Sequence, residues 1–114
     1  MKFNLSEIQA KPGEKLRVTL SNIGQTPKQA MGHNWVLLKP RADAEVNTFA
    51  IACATKARYY LPDDKSAVLV STKILGPRET DTVEFAAPTT PGEYPFLCTF
   101  PGHFAMMKGK LVVK

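Results

Sequence analysis

The chain has 114 residues, 44% of them hydrophobic, with two cysteines and a formal net charge of +5. That is the size of one domain, 1–114, with enough apolar content for a core, so a disordered chain is excluded. No apolar run reaches the length of a membrane span, and the basic residues are scattered without a run or interleaved aromatics, which argues against nucleic-acid binding.

Taken in order, the first elements read as strands. Phe3-Asn4-Leu5 starts an alternation, and Lys11-Pro12-Gly13-Glu14 is a turn signal. Leu16, Val18 and Leu20 alternate with Lys15, Arg17 and Thr19, the pattern of a half-buried strand. Trp35-Val36-Leu37-Leu38 is continuously apolar and fits a strand buried on both faces. A helix follows, with Asp43 as its N-cap and Val46, Phe49, Ala50, Cys53 and Ala57 along one face. Lys56 and Arg58 suit its C-terminal end. Cys53 falls on the apolar face and reads as a small buried hydrophobe. Short strands are then expected over 67–70, 73–75, 82–85, 94–98 and 110–113, separated by turn clusters. The whole predicts an all-β Greek-key sandwich with one short helical excursion between strands.

The chemistry concentrates in Cys98-Thr99-Phe100-Pro101-Gly102-His103-Phe104-Ala105-Met106-Met107. A thiol, an imidazole and thioethers lie close together, and Pro101-Gly102 supplies a tight reversal between the first two. The other histidine of the chain is His33, in Met31-Gly32-His33-Asn34-Trp35. One thiolate, two imidazoles and a distant thioether make up the trigonal site that binds copper and passes single electrons. Such a centre carries one positive charge when oxidised and none when reduced, so burying it costs far less than burying a bare dication. Met106 and Met107 compete for the axial place.

Cys-x₄-His-x₃-Met with the linker Thr-Phe-Pro-Gly resembles the copper loop of the azurins, and the likeness extends along the chain. Met31-Gly32-His33-Asn34-Trp35-Val36-Leu37, Tyr60-Leu61 with Pro62-Asp63-Asp64, Thr72-Lys73 and Met107-Lys108-Gly109-Lys110-Leu111 are similar to azurin segments in the same order. The resemblance implies a cupredoxin fold, one copper and electron transport without enzymatic activity. It selects His33, Cys98, His103 and Met107 as ligands and puts the Gly32 backbone carbonyl on the opposite axial side. Asn34 would pin the ligand loop toward Thr99, and the amides of Asn34 and Phe100 would point at the Cys98 sulfur. It also implies redox partners such as c-type cytochromes or copper and haem reductases, a monomer, and a periplasmic or otherwise extracytoplasmic location, with any export signal or anchor outside this chain.

The departures from the azurins are specific. Glu14 stands at one position of the family disulfide, and the segment carrying the other cysteine is missing. Asn22 and Ser71 replace the two histidines that azurins keep away from the metal, so pH-linked behaviour tied to them should be absent. Phe104 stands where azurins have a small polar residue.

The loop around His103 is apolar. Pro101, Gly102, Phe104, Ala105 and Met106, with Met31 beside the other imidazole, are expected to form a docking patch for redox partners, with Phe104 either widening the patch or folding inward. Two other functions remain open to the sequence. A copper chaperone or store would hold Cu(I) in an open, Met-rich site, but the four methionines show no Met-x-Met repeat. The electron-entry domain of a larger copper enzyme would need a further catalytic site, for which no histidine remains.

Overall fold

Strict alternation of apolar and polar residues puts one row of side chains on one face of a strand, and the computed structural model is built on that rule. It describes residues 3–24, 32–56, 60–62 and 65–114. Among these the order is β1 (Glu7–Ala10), β2 (Lys15–Ser21), β3 (Val36–Leu38), α1 (Asp43–Ala54), β4 (Val68–Ser71), β5 (Thr80–Ala86), β6 (Gly92–Leu97) and β7 (Lys108–Val113).

β2 and β5 pair antiparallel from Lys15–Ala86 to Ser21–Thr80 and form a two-stranded sheet. The larger sheet has the order β1-β7-β6-β3-β4, with β1 parallel to β7 and the other neighbours antiparallel. Leu16, Val18, Leu20, Val83 and Phe85 of the small sheet pack on Trp35, Leu37, Tyr94, Phe96, Leu111 and Val113. Each such side chain contributes about 1.5–3 kcal/mol when fully buried. The chain passes between sheets at β1→β2, β2→β3, β4→β5 and β5→β6, which makes the expected Greek-key sandwich.

β3 is buried on both faces, as its unbroken apolar run requires. Leu37 enters the sandwich core, while Val36 and Leu38 face a second cluster with Val46, Phe49, Ala50 and Cys53 of α1. The helix therefore covers the outer face of the large sheet. Its N-cap is Ala42 and not Asp43. Ala42 has no side-chain acceptor, so Glu45 supplies the cap by accepting from the Ala42 N–H at 3.3 Å. Asp43 and Glu45 then sit in the first turn, where negative charge suits the helix dipole. No basic residue occupies the last turn; Lys56 lies beyond the Thr55 C-cap, and Ala57 and Arg58 fall outside the described residues.

One expected strand starts late and another does not form. The alternation over 3–5 makes no ladder; β1 begins at Glu7, and Phe3 packs its ring edge-on against Phe96 at 5.6 Å. The segment 73–75 makes a single bridge, Leu75 to His33. The Asp81 carboxylate accepts from the Lys73 N–H at 2.9 Å, so a side chain takes the donor that a ladder would use.

Candidate metal centre

The ligand-bearing loop leaves β6 at Cys98 and returns at Met107, just before β7. Its two ends are joined by Cys98 N–H donating to Met107 O at 2.9 Å. Within it, His103 N–H donates to Phe100 O at 3.0 Å, Pro101 stands at the second turn position, and Gly102 has φ +80° at the third. These are the requirements of a type II turn, and the positive φ is why glycine is needed there. The turn brings His103 back over Cys98. Met107 N–H then donates to His103 O at 2.9 Å.

The second segment is fixed from several sides. His33 and Leu75 exchange backbone hydrogen bonds of 3.2 and 2.7 Å. The Asn22 side chain donates to Leu75 O at 3.0 Å and so braces that bridge from behind. Trp35 N–H donates to Thr72 Oγ1 at 2.9 Å. Asn34, fully buried, reaches across to Thr99 on the other loop. Sequence reasoning gave Asn22, Thr72 and Leu75 no part in holding the site, because nothing local marks them; each acts only through a distant partner.

These supports bring His33, Cys98 and His103 together, with one donor atom from each within 4.8 Å of the others. Cys98 Sγ lies 3.6 Å from His103 Nδ1, and the His33 and His103 ring centroids are 4.9 Å apart. Burial lowers the His33 pKa, and burial with the neighbouring His33 pushes His103 down to about 4. Both imidazoles are therefore neutral at pH 7, the state in which their nitrogens can donate to a metal. Burial pushes the Cys98 thiol up, opposed by the backbone N–H groups of Asn34 and Phe100 directed at its sulfur. Those donors stabilise the thiolate.

Metal fit can be tested on one atom. His33 Nδ1 is buried and has no hydrogen-bond partner among the described residues. An unpaired buried nitrogen normally costs about 1–3 kcal/mol, and here it belongs to an imidazole clustered with a thiol and a second imidazole. One soft sulfur and two neutral imidazoles suit copper, so the residues fit the ion.

The remaining expected residues are placed as follows. Met107 is buried against Cys98 and Phe100, whereas Met106 is 63% exposed. Gly32, Asn34, Thr99 and Phe100 are buried. Pro101, Gly102, Ala105 and Met106 are exposed beside the buried His103. Phe104 does not join this surface. It turns inward onto the cluster of Val36, Leu38, Val46, Phe49, Cys53 and Leu97, because α1 leaves apolar surface there for a ring to cover. Met31 lies outside the described residues. Cys53 is fully buried, both cysteines are free, and no disulfide forms between them.

A Greek-key sandwich holding one thiol and two imidazoles at the end of its strands defines a type 1, or blue, copper protein, a carrier of single electrons. The family model for copper-binding proteins of the plastocyanin/azurin family matches residues 1–114. The chain is 44% identical to an azurin of Pseudomonas chlororaphis over all of this chain and 91% of that protein. It is 43% identical to an azurin of Pseudomonas aeruginosa, over all of this chain and 78% of that one. Among solved structures, auracyanin A, a "blue" copper protein of Chloroflexus aurantiacus, superposes with a TM-score of 0.83 at 34% identity, covering 99% of this chain and 89% of that one. An azurin from Methylomonas sp. strain J gives a TM-score of 0.81 at 30% identity, covering 97% and 88%. The chain belongs to the plastocyanin/azurin family of copper-binding proteins.

Proposed function

We propose that residues 1–114 act as a single-domain, monomeric electron shuttle outside the cytoplasm, with the cluster of buried Cys98 and His103 and half-buried His33 as its redox centre. The clustering of one thiol and two imidazoles carries this reading, with the buried His33 Nδ1 left without a hydrogen-bond partner among the described residues. Copper held there supplies one-electron Cu(II)/Cu(I) cycling.

The protein's own residues do the rest. Cys98, His33 and His103 would hold the ion, with the Met107 thioether and the Gly32 carbonyl as weaker donors. Met107 is chosen over Met106 because it is buried against Cys98. The Asn34 and Phe100 amides withdraw charge from the sulfur and help set the potential. Phe100 and the surrounding core keep water out. A donor set fixed by turn and bridge hydrogen bonds has little freedom to rearrange between oxidation states.

The exposed Pro101, Gly102, Ala105 and Met106, with Met31, offer an apolar contact beside His103 to redox partners such as c-type cytochromes or copper and haem reductases. A small apolar face allows contact without fixed ion pairs, and weak interfaces release quickly. Both histidines of the chain are used at this centre, which leaves no imidazole for a second, catalytic metal site.

The test is to add Cu(II) to metal-free protein. An intense visible thiolate-to-copper absorption, with a type 1 EPR signal at one copper per chain, is expected. A colourless adduct, or unchanged colour in Cys98→Ser, overturns the assignment.

A further inference from the structure

Beyond the loop, two aromatic rings, Phe3 and Tyr60, pack on the cluster of Cys98, Phe100 and Met107, and Tyr60 stacks on the loop itself. Tyr60 follows α1 and stacks on Phe100 with ring centroids 5.0 Å apart. Phe100 in turn lies 4.7 Å from the His103 imidazole. Both spacings fall in the contact range of aromatic pairs. Phe100 and His103 are buried, at 6% and 3% exposure, while Tyr60 is only half-buried. The three rings therefore form a continuous path from a ligand to a partly exposed side chain. Tyr60 shares no segment with the loop residues of the apolar face.

The backbone at Tyr60 is also unusual. Its φ is +52°, the left-handed region. Outside glycine this conformation is disfavoured, and it persists only where surroundings impose it. Here Tyr60 N–H donates to Lys56 O at 2.9 Å, and the ring is held on Phe100. An extended backbone would release the strain and redirect the ring.

We propose that Tyr60 is the outer end of a second electron route, Tyr60–Phe100–His103, distinct from the exposed rim at Met106. The proposal rests on the copper-carrier reading above. Electronic coupling falls steeply across empty space and less steeply through filled orbitals in contact, so a stack of rings is a better conductor than a gap of the same width. One electron passes between an external one-electron donor and the bound metal. No bond forms or breaks, no proton moves, and the rings supply orbital overlap without themselves being oxidised.

The route makes different demands on the ring and on the hydroxyl. Tyr60→Phe keeps the stack, whereas Tyr60→Leu removes it. A ruthenium polypyridyl photosensitiser attached at Lys56→Cys, beside Tyr60, reads the route within one molecule; buried Cys53 and metal-bound Cys98 do not compete for the label. After a flash, transfer to copper should slow about tenfold in Tyr60→Leu at matched driving force and stay within about twofold in Tyr60→Phe. With the label at Lys73→Cys, on the segment that leads to His33 through Leu75, Tyr60→Leu should leave the rate unchanged. In metal-free protein, NMR cross-relaxation should link Tyr60, Phe100 and His103 ring protons in wild type and in Tyr60→Phe. Equal rates for Leu and Phe at Lys56 overturn the route, as does equal slowing from both label positions. A protein that never turns blue refutes the copper reading instead, so the two failures are distinguishable.

Discussion

Asn34 and Thr99, 65 residues apart in the chain, hold each other through two hydrogen bonds of 2.8 Å. The Asn34 amide donates to Thr99 Oγ1, and its carbonyl accepts from the Thr99 N–H. One side chain thus locks the residue after His33 to the residue after Cys98. Asn34→Leu should leave the buried Thr99 N–H unpaired, at about 1–3 kcal/mol for that group. Thermal unfolding of the metal-free protein should show the loss, and the copper potential should shift because Cys98 is no longer held in register. An unchanged melting temperature and potential would mean that the two loops are fixed by other contacts.

The two adjacent methionines should separate cleanly. A long axial bond adds little affinity but tunes the potential. Met107→Leu should keep the blue band and raise the potential, since it removes a donor that favours Cu(II). Met106→Leu should leave the potential alone. Copper loss in the first variant with a potential shift in the second would reverse the assignment.

Phe104 and Met106 should respond in opposite ways. Phe104 packs under α1, so Phe104→Ser should cost about 2 kcal/mol, less than the 3–5 kcal/mol of a fully buried Phe→Ala change, because its ring is only partly buried. Electron self-exchange, corrected for folded fraction, should then be unaltered. Met106→Lys should barely change stability but slow self-exchange about tenfold, or ~1.4 kcal/mol, because it puts a charge on the apolar face. Denaturant melts and NMR line broadening in mixed oxidation states measure the two effects.

Cys53 should be silent at neutral pH and costly in alkali. Burial pushes its thiol from the ordinary 9.0 up to about 12. The unfolded chain gives up this proton first, so the stabilisation from burying a neutral thiol is whole below about pH 9 and falls as pH rises from there toward 12. Cys53→Ala should cost about 1–2 kcal/mol at pH 7 through lost volume, flatten the alkaline fall and leave the copper spectrum unchanged. Thiol reagents should not label Cys53 in the folded copper form; rapid labelling would contradict its burial.

The site was more legible in the sequence than the fold that holds it. Cys98, His103 and His33 are rare residue types with few alternatives, and Pro101-Gly102 states its own turn. β3 announced two-sided burial because no polar residue interrupts Val36–Leu38. The fate of Phe104 could not be read the same way. Whether a ring beside an exposed loop faces solvent depends on what lies above it, and α1 comes from a distant part of the chain. Lys73 failed as a strand residue for a similar reason, since the Asp81 carboxylate that takes its N–H is set by the packing of β5. Asn22 and Leu75 matter only because a fold contact sets them behind His33.

The parallel pairing of β1 with β7 places Glu7 beside Lys110 and Ala10 beside Val113. The edge strand of the large sheet is therefore held by a strand far away in the sequence. During synthesis the emerging chain can form its hairpin-like pairs early, yet β1 has no partner until β7 has left the ribosome. Such distant pairing slows folding, because a long loop must close before any contact rewards it. Since Cys98 N–H donates to Met107 O directly ahead of β7, the loop that closes the centre is tied to the strand for which β1 must wait. Metal uptake should consequently be a late event in the life of the nascent protein, following completion of the sheet.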